Sequence, residues 1–406
     1  MSGKLPVDQS ERPRILVISD EMAWPLVSGM RRRLGHTLSA LTQVGDVHWV
    51  ACPRSGVAAA PCVPSDLPIS TTVVPAPDNN ANRRMLNWLS GRRPWTLCGG
   101  DWGAAGAALA DLHDNDFDLE WTAGFDSWLA ARKAGVRSKK SILDLADIES
   151  AKLRSRLRAG VDKGPKGWLR RVMGFEDLRR WRALEQQAAQ NIDAISVCSA
   201  EESLAMPGPT FVTTNSYADP GPTGEPRSAT RLLFVGSLNY PPNLGGLEFF
   251  VREVFGALHQ SDGSLTFRIV GRGLDPDHWL RHEPGVQVAE DVDDIGPEVA
   301  KATVAVVPLL WGGGTRLKII EAFAFSTPVV STTAGAEGLL AVHGESIVIA
   351  DTATELLAAC RRLLSDPAER LRLGSAGRMH YLQHFEAREV ERALVARVEA
   401  LLYDKP

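Results

Sequence analysis

The sequence predicts an α/β protein of two domains, each with a parallel β-sheet and helices on both of its faces. The chain has 406 residues, which is too long for one domain at roughly 150 residues per domain. Short apolar runs alternate with helical stretches, as in parallel-sheet proteins. The alternation restarts after a segment dense in proline, glycine and serine at 216–231, which we therefore expect to be the linker.

The composition narrows the class of protein. Hydrophobic residues make up 44% of the chain and charged residues 23%, as in soluble globular proteins. A net charge of −4 argues against nucleic acid as a partner. The five cysteines contain no C-x-x-C pair, so we expect core thiols in a reducing cytoplasm. The N-terminus is polar and unlike a signal peptide, and no uncharged apolar run approaches the roughly 20 residues of a membrane helix.

The first half opens with a buried strand, RILVIS, at 14–19. A loop containing Pro25 and Gly29 follows, and then a helix is predicted. Apolar runs predict further strands at 47–52, 71–75, 119–123, 141–145, 194–199 and 211–215, and helices are predicted at 31–44, 102–113 and 125–135.

Residues 149–190 are predicted to be almost continuously helical, and this segment is strongly basic. Between 152 and 182, eleven basic residues face three acidic ones, a local charge of +8. A solvated helical face is one interpretation. A surface for an anionic acceptor or for membrane headgroups is the other.

The second half repeats the alternating pattern after the linker. Strands are predicted at 231–236, 267–271, 286–289, 303–309 and 327–332, with a helix at 244–260. The final segment, 387–402, carries its apolar residues on one stripe and is predicted to be an amphipathic helix docked on one of the domains. The stripe consists of Val390, Leu394, Val395, Val398, Leu401 and Leu402.

A triple-glycine loop, within WGGGTRLKIIEAFAFSTPVV (311–330), carries the main functional signal. It follows a predicted strand, and ligands of open parallel sheets bind beyond the carboxyl ends of strands. A helix is predicted to begin near Thr315, and its free amides form an anion site. Arg316 and Lys318 repel each other at this positive helix end unless an anion such as a diphosphate lies between them. Glu321 is positioned to accept hydrogen bonds from attached sugar hydroxyls.

Two less specific interpretations of this loop stay open. The glycines could form a flexible loop whose cations pair with surface carboxylates. Glu321 could be only the ion-pair partner of Lys318 at spacing i, i+3.

Two more strands of the second half end in glycine. Gly236 closes one strand and is followed by a loop that contains Asn239, with Asn243 as the expected helix N-cap. Gly271 and Gly273 follow another strand. Three glycine-bearing strand ends in one domain predict a nucleotide crevice.

These segments resemble a known family. VGSLNYPPNLGGLEFF and PLLWGGGTRLKIIEAFAFSTPVVSTTAGAEGL are similar to the donor domain of family 4 glycosyltransferases of the GT-B fold. RILVISDEMAWPLVSGMRRRLGHTLSALTQVGDVHWV resembles the family's opening strand, glycine loop and arginine-bearing helix. LDLADIES, followed by basic helices, resembles its acceptor domain.

The resemblance implies two Rossmann-like domains facing a cleft. Residues 1–218 would bind the acceptor and 219–386 the nucleotide-sugar, with the helix of 387–406 crossing back to the first domain. The expected activity is retaining and metal-independent transfer, with a nucleotide-diphospho-sugar as co-substrate and no other cofactor. The acceptor is not identified by the resemblance. We expect the protein to be a monomer or homodimer in the cytoplasm. We also expect residues 152–182 to contact the inner face of the membrane.

The resemblance also assigns site residues. Arg316 and Lys318 are expected to hold the diphosphate and catalyse, and Glu321 to hold the nucleotide ribose. The remaining expected donor contacts are Gly236, Asn239, Gly271, Gly273, Gly313, Gly314 and Thr315. The expected acceptor-side residues are Gly29, Arg33, Glu120 and Asp147.

The sequence departs from the family's pattern at three positions. Many members carry two glutamates separated by seven residues, and Gly313 stands at the first of these positions. SLNYPPN lacks the usual basic residue of the first phosphate loop. Glu120 and Trp121 stand where an acceptor-side histidine is expected, at the end of FDLEWTA.

Alternatives to transfer therefore stay open. A catalytically silent nucleotide-sugar-binding protein and a nucleotide-sugar epimerase both fit the architecture. A dinucleotide-dependent oxidoreductase fits less well, because neither half has G-x-G-x-x-G after its first strand. Asp147 and Glu149 are either acceptor contacts or caps of the next helix.

Overall fold

The computed structural model describes residues 12–53, 62–74, 81–99, 103–112, 116–221 and 227–403. The chain forms two compact units. The first takes in Met1–Ala146, Val172–Thr213 and Arg388–Pro406, and the second takes in Asp147–Arg171 and Thr214–Ala387. The chain passes into the second unit for good at Thr214, close to the expected linker. Residues 222–226 of that linker lie outside the described residues. The sequence did not predict that 147–171 groups with the second unit.

The first unit contains a seven-stranded sheet in which all paired strands are parallel. The strands are β1 (Arg14–Ser19), β2 (Asp46–Ala51), β3 (Ile69–Val73), β4 (Phe117–Ala123), β5 (Ser138–Asp144), β6 (Ala194–Val197) and β7 (Thr210–Val212). Their spatial order is β3-β2-β1-β4-β5-β6-β7, which reverses direction beside β1. In the register, Val17 of β1 lies between Trp49 and Trp121, and all three side chains are buried.

Helices connect these strands, as parallel pairing requires. They are α1 (Gly29–Val44), α2 (Ala81–Ser90), α3 (Gly103–Ala110), α4 (Gly124–Ala134), α5 (Glu149–Ala159), α6 (Gly164–Ala189) and α7 (Ala200–Ala205), with a 3₁₀ turn at Trp95–Cys98. The predicted helix at 102–113 is shorter than expected, and its two end residues lie outside the described part of the chain.

The prediction that 149–190 is almost continuously helical is confirmed, since α5 and α6 fill most of this segment. The sequence did not place the break between them: α5 ends at Ala159 because Gly160 adopts the left-handed conformation, with φ = 60°. A glycine in this conformation just past a helix is a common helix stop.

The last helix, α15 (Ala387–Tyr403), confirms the predicted return to the first domain. Leu394 and Val398 are buried in the core of the first unit, together with residues of β1, β2 and α1. Val395, Leu401 and Leu402 pack against the same core while partly buried. The apolar stripe read from the sequence is therefore the docking face.

The second unit contains six parallel strands around its own core. They are β8 (Arg231–Val235), β9 (Thr266–Val270), β10 (Val286–Ala289), β11 (Val304–Val307), β12 (Val329–Ser331) and β13 (Val348–Ile349), in the order β10-β9-β8-β11-β12-β13. The sequence predicted five of them. The two-residue β13 is too short to leave a periodic signal. The expectation of two α/β units with parallel sheets is confirmed.

Two helices of the second unit begin at residues other than those predicted, one earlier and one later. They are α8 (Pro241–Phe250), α9 (Gly256–Ser261), α10 (Gly296–Lys301), α11 (Leu317–Ala324), α12 (Thr333–Ala336), α13 (Ala353–Ser365) and α14 (Pro367–His384), with a π turn at Val251–Phe255 and a 3₁₀ turn at Trp279–Arg281. Tyr240 is the N-cap of α8, so the prediction of Asn243 as the cap is wrong. Arg316 is the N-cap of α11, which begins two residues after Thr315.

Two features bear on cellular context. Four of the five cysteines are buried and Cys62 is exposed, and all five are free thiols. Burial raises the pKa of Cys360 to about 12, as expected for an inert core thiol. Among the helices of the described segments, none combines the length and apolar character needed to cross a membrane.

Candidate functional site

The glycine-bearing ends of β8 and β9 meet the start of α11. Gly236 has φ = 155°, and a Cβ atom there would lie 2.9 Å from Lys318 Nζ. A Cβ atom on Gly271 would lie only 1.9 Å from the Gly236 carbonyl oxygen. Side chains at these two positions would therefore displace either the backbone or the lysine. Of the three strand ends that were predicted to carry glycine, the two at Gly236 and Gly271 are in direct contact.

Gly273 extends this group of loops. It has φ = 90°, and a Cβ atom there would lie 2.9 Å from the Asn239 side-chain carbon Cγ. Its amide donates to Glu290 at 2.9 Å. The amides of Gly236 and Gly271 likewise donate to main-chain carbonyls, at 2.9 Å each. Gly236, Asn239, Gly271 and Gly273 are thus brought together as predicted, but the glycines contribute space for close approach rather than free amides.

Lys318 lies at the centre of this group with a half-buried side chain. Its Nζ donates to Asn243 Oδ1 at 2.6 Å and lies 4.2 Å from the centre of the Phe234 ring. Burial, followed by the neighbouring Arg316 charge, lowers the pKa of Lys318 to about 7, and Glu321 opposes this shift. A half-protonated ammonium group at neutral pH indicates that the site lacks enough negative charge to balance its cations.

Arg316 is buried, and its guanidinium group donates only to carbonyl groups. Nη2 bonds the Ala334 carbonyl at 3.0 Å, and Nη1 bonds the Gly313 carbonyl. Its Nε atom is buried, with no hydrogen-bond partner among the residues that the structure describes. The Nε atoms of Arg84, Arg154 and Arg156 are buried without a partner as well, so what distinguishes Arg316 is its place beside Lys318 at the start of α11.

Neither cation forms an ion pair with a carboxylate in the described part of the chain. The hypothesis of a flexible loop whose cations pair with surface carboxylates is therefore wrong. The hypothesis of a Lys318–Glu321 ion pair is wrong as well, although Glu321 still attracts the ammonium group electrostatically. Glu321 is 5% exposed and lies one turn into α11.

The first turn of α11 supplies amides to the same place. In the described ranges, the amides of Leu317 and Lys318 donate to no main-chain or side-chain acceptor. Thr315 is buried, and its carbonyl accepts from Asn215 at 3.3 Å. The helix start, Arg316 and Lys318 therefore lie together as predicted, with the helix beginning two residues later than the sequence indicated.

Gly313 lies against α5, a contact that was not predicted from the sequence. A Cβ atom on Gly313 would lie 2.9 Å from Lys152 Cβ, so the lysine stem occupies the space of a side chain at 313. The amide of Gly312 donates to Ser155 Oγ at 3.3 Å, and Arg156 lies over the Trp311 ring at 5.5 Å. The glycine loop thus packs against α5.

Lys152 also organises two carboxylates beside the loop. Its Nζ donates to Asp147 at 3.0 Å and to Glu149 at 2.6 Å, and these charges raise its pKa despite burial. The N-cap of α5 is Ile148, without a side-chain cap bond, so neither carboxylate caps the helix. Burial and the charge of Asp147 raise the pKa of Tyr240. The charges of Lys152 and Arg316 oppose this rise.

Several of these residues were not predicted as site residues. Lys152 belonged to a segment noted only for its charge, and Tyr240 carried no signal. Asn243 was interpreted as a cap rather than as the acceptor for Lys318. The sequence position of Asn243, one helical turn after the Gly236 loop, is the only local signal that could have indicated it.

Two expected acceptor-side residues in the first unit are engaged internally. Arg33 is buried and bonds Asp144 through Nε at 3.2 Å, the Thr213 carbonyl at 2.6 Å and Ser196 at 3.0 Å. Asp144 and the hydrogen bond to it raise the pKa of Arg33 against the effect of burial. This arginine therefore ties α1 to the carboxyl end of β5 and is not free to contact an acceptor.

Glu120 lies in the middle of β4 rather than at its end. It is 1% exposed and accepts from Arg132 of α4 at 2.8 and 3.0 Å. Burial raises its pKa, and Arg132 counteracts that shift. We therefore remove Glu120 from the acceptor contacts. Gly29, by contrast, is the first residue of α1, next to the N-cap Ser28 at the edge of its loop.

No group of three or more His, Cys, Asp or Glu side chains in the described segments is arranged to hold a metal ion.

Comparison with known proteins finds a sequence resemblance in the second unit. Residues 229–366 match the sequence model of the family "Glycosyl transferases group 1". The chain is 28% identical over 129 residues to an uncharacterized 44.6 kDa protein in the cps region of Klebsiella pneumoniae. That match covers 30% of this chain and 33% of the relative's length.

Solved structures extend the likeness to the fold of the whole chain. Sucrose-phosphate synthase from Thermosynechococcus elongatus has a TM-score of 0.70 and 16% identity, covering 96% of this chain and 99% of its own. The Anabaena protein HepE, in complex with UDP and glucose, has a TM-score of 0.66 and 14% identity, covering 95% and 99%. Residues 229–366 therefore resemble the group 1 glycosyl transferases in sequence, and the chain has the GT-B fold.

Proposed function

We propose that this protein is a retaining glycosyltransferase that moves a sugar from a nucleotide-diphospho-sugar to an acceptor hydroxyl group. The family match of the donor domain supports sugar transfer, and the resemblance to family 4 supports retention of configuration. Metal independence is part of the proposal. Peripheral association with a membrane is a separate proposal, because the donor site would work equally well on a soluble acceptor.

The cation pair at the start of α11 carries this proposal. Arg316 and Lys318 lie beside each other without a balancing carboxylate in the described part of the chain, and Arg316 has a buried, unused Nε donor. A diphosphate would supply two negative groups to this pair and to the free amides of Leu317 and Lys318.

Transfer would develop negative charge on the departing diphosphate. Donors fixed in advance around that charge stabilise the transition state, because they need no reorganisation when the bond breaks. Arg316, held in place by the Gly313 and Ala334 carbonyls, is such a preorganised donor. Lys318 would take up a proton as the diphosphate binds, since an adjacent anion favours the charged ammonium form.

The proposal assigns the sugar of the donor to the cluster beside Gly313. Asp147 and Glu149, oriented by Lys152, offer carboxylate oxygens next to the loop where many family members have a glutamate. Because HepE was solved with UDP and with glucose, uridine diphospho-sugars are the first donors to test.

The decisive experiment measures release of nucleoside diphosphate from a panel of donors and acceptors. Lys318→Ala should lose a charge-assisted hydrogen bond, reducing kcat/KM about ten- to a hundredfold, equivalent to about 1.5–3 kcal/mol. Arg361→Ala removes an exposed cation elsewhere in the second unit and should leave kcat/KM unchanged. Equal kinetics in all three proteins would refute the diphosphate assignment.

The products distinguish the remaining alternatives. Retention requires that the anomeric configuration of the donor persists in the product, which NMR spectroscopy of the purified glycoside reports. Epimerase activity would change the donor sugar without any acceptor. Tight donor binding by calorimetry without turnover on any acceptor would favour the silent binding protein, a possibility that Gly313 keeps open.

A further inference from the structure

The outer face of α6 exposes large apolar side chains. Trp168, Val172 and Phe175 are spaced four and three residues apart and therefore share one helix face. Their exposed fractions are 66%, 47% and 59%, and the neighbouring Leu169 is 54% exposed. An aromatic stripe of this size on a helix surface usually marks an interaction site.

The opposite face of α6 is already occupied, so the stripe is not an unfinished part of the core. Trp181 and Leu184 are buried, and Arg180 donates to the Trp88 carbonyl at 2.7 Å and to the Arg93 carbonyl at 3.0 Å. The inner face thus anchors the C-terminal half of the helix. The helix is held firmly with its aromatic side turned to solvent.

The basic residues of 152–182 divide into two groups. Lys152, Arg156 and Arg180 are engaged with carboxylates, and Arg179 shares Glu176 with Arg180. The other seven form no ion pair with any residue in the described part of the chain; Arg154 is partly buried, and the exposed ones are Arg158, Lys163, Lys166, Arg170, Arg171 and Arg182. Most of the predicted positive surface therefore remains available, and the helical spacing puts Arg171 and Arg182 on the side of α6 that carries the aromatic stripe.

We infer that the outer face of α6, defined by Trp168, Leu169, Val172 and Phe175 with Arg171 and Arg182 on the same side of the helix, docks on an anionic lipid surface. A helix that presents aromatic and aliphatic side chains beside unpaired arginine and lysine lies in the interface of a bilayer. Apolar burial and attraction to acidic headgroups act together there. A second copy of the helix is a poorer occupant, because it would bring like charges together.

Co-sedimentation with vesicles tests the apolar part of this proposal. Without any donor or acceptor present, the full chain should bind vesicles of phosphatidylcholine with 30% phosphatidylglycerol, and bind pure phosphatidylcholine much more weakly. Trp168→Ala with Phe175→Ala should weaken binding by at least about tenfold, because two large side chains no longer enter the interface. Leu204→Ala removes an apolar residue that is 90% exposed on α7 and should leave binding unchanged.

The contribution of the basic side chains to vesicle binding needs a separate experiment. Arg171→Ala and Arg182→Ala should each weaken binding about fivefold, and added salt should weaken the wild type. Arg361→Ala serves as the matched control. The proposal is overturned if the wild type does not bind, if neutral vesicles bind equally well, or if the Trp168 and Phe175 changes only abolish self-association in solution. Sugar transfer enters none of these readouts, so their outcome is independent of the proposed activity.

Discussion

Lys318 has an ammonium group whose closest polar partner is an amide oxygen rather than a carboxylate. Its pKa of about 7 means that the folded protein binds this proton less tightly than the unfolded chain does. The cost to folding is therefore greatest below pH 7, where both states are protonated, and it is relieved as the pH rises above 7. Such a group is kept for what it binds rather than for stability.

The lowered pKa of Lys318 predicts a pH-dependent affinity for nucleoside diphosphate. Above pH 7 the free site loses its ammonium charge, so binding must take up a proton. Between pH 7.5 and 9 the affinity should fall, by at most about tenfold per pH unit, while the phosphates themselves stay ionised. Calorimetry in two buffers of different ionisation enthalpy measures the proton uptake. Lys318→Met should show weak binding without this slope; a wild type whose affinity does not change with pH would contradict the prediction.

A second prediction concerns the contact between Gly313 and Lys152. Gly313→Ala places a Cβ atom 2.9 Å from the lysine stem and should lower the free energy of unfolding by about 1–3 kcal/mol. In a Lys152→Ala background the same change should cost much less, because the stem is gone. Chemical denaturation of the four proteins gives the coupling energy. Equal costs in both backgrounds would show that α5 does not rest on this glycine.

The individual residues show what local sequence can predict. Arg316 and Lys318 were identified because the glycine loop, the cations and the helix start are adjacent in the chain. Arg33 and Glu120 were misassigned because the partners that occupy them, Asp144 and Arg132, carry no local mark of the pairing. Lys152 was missed for the same reason, since Gly313 lies far from it in sequence.

At the scale of elements, the break between α5 and α6 decides what α6 can present to solvent. Gly160 ends α5 with φ = 60° and has no neighbouring atom within 4 Å of an added Cβ. Its role is therefore purely conformational, so the two helices can take different directions. The sequence predicted an almost continuously helical segment without locating this break, because a single glycine does not interrupt the pattern.

Gly160→Ala should destabilise the protein by about 1 kcal/mol, because alanine is strained in the left-handed conformation. The matched control is Gly245→Ala within α8, where an added Cβ also meets nothing and the backbone is helical. That change should stabilise by about 0.4–1 kcal/mol. Urea denaturation followed by circular dichroism measures both. Two shifts of the same sign would refute a left-handed requirement at residue 160.

The strands were predicted well because buried parallel strands are continuous apolar runs. The helix starts were predicted less well. Tyr240 and Arg316, which precede α8 and α11, make no side-chain cap bond, so neither resembles the usual capping residues. The functional loops lie at these two starts, where packing rather than capping preference sets the boundary.

At the scale of the whole molecule, the two units have separate apolar cores. Scanning calorimetry should therefore not follow a single two-state transition. A nucleoside diphosphate at 100 times its Kd should stabilise the second unit directly, by about 2.7 kcal/mol, because the proposed contacts all belong to that unit. Lys318→Ala should reduce this shift. A ligand that shifted only the transition of the first unit would place the nucleotide site elsewhere.

The docking of α15 has a consequence for how the protein is made. The first unit begins with β1, yet Leu394 and Val398 complete its core. A growing chain emerges from the ribosome N-terminus first, so the strands of the first unit must wait for a helix that is translated only after the whole second unit. Until that helix docks, the apolar side chains that Leu394 and Val398 contact lack part of their cover.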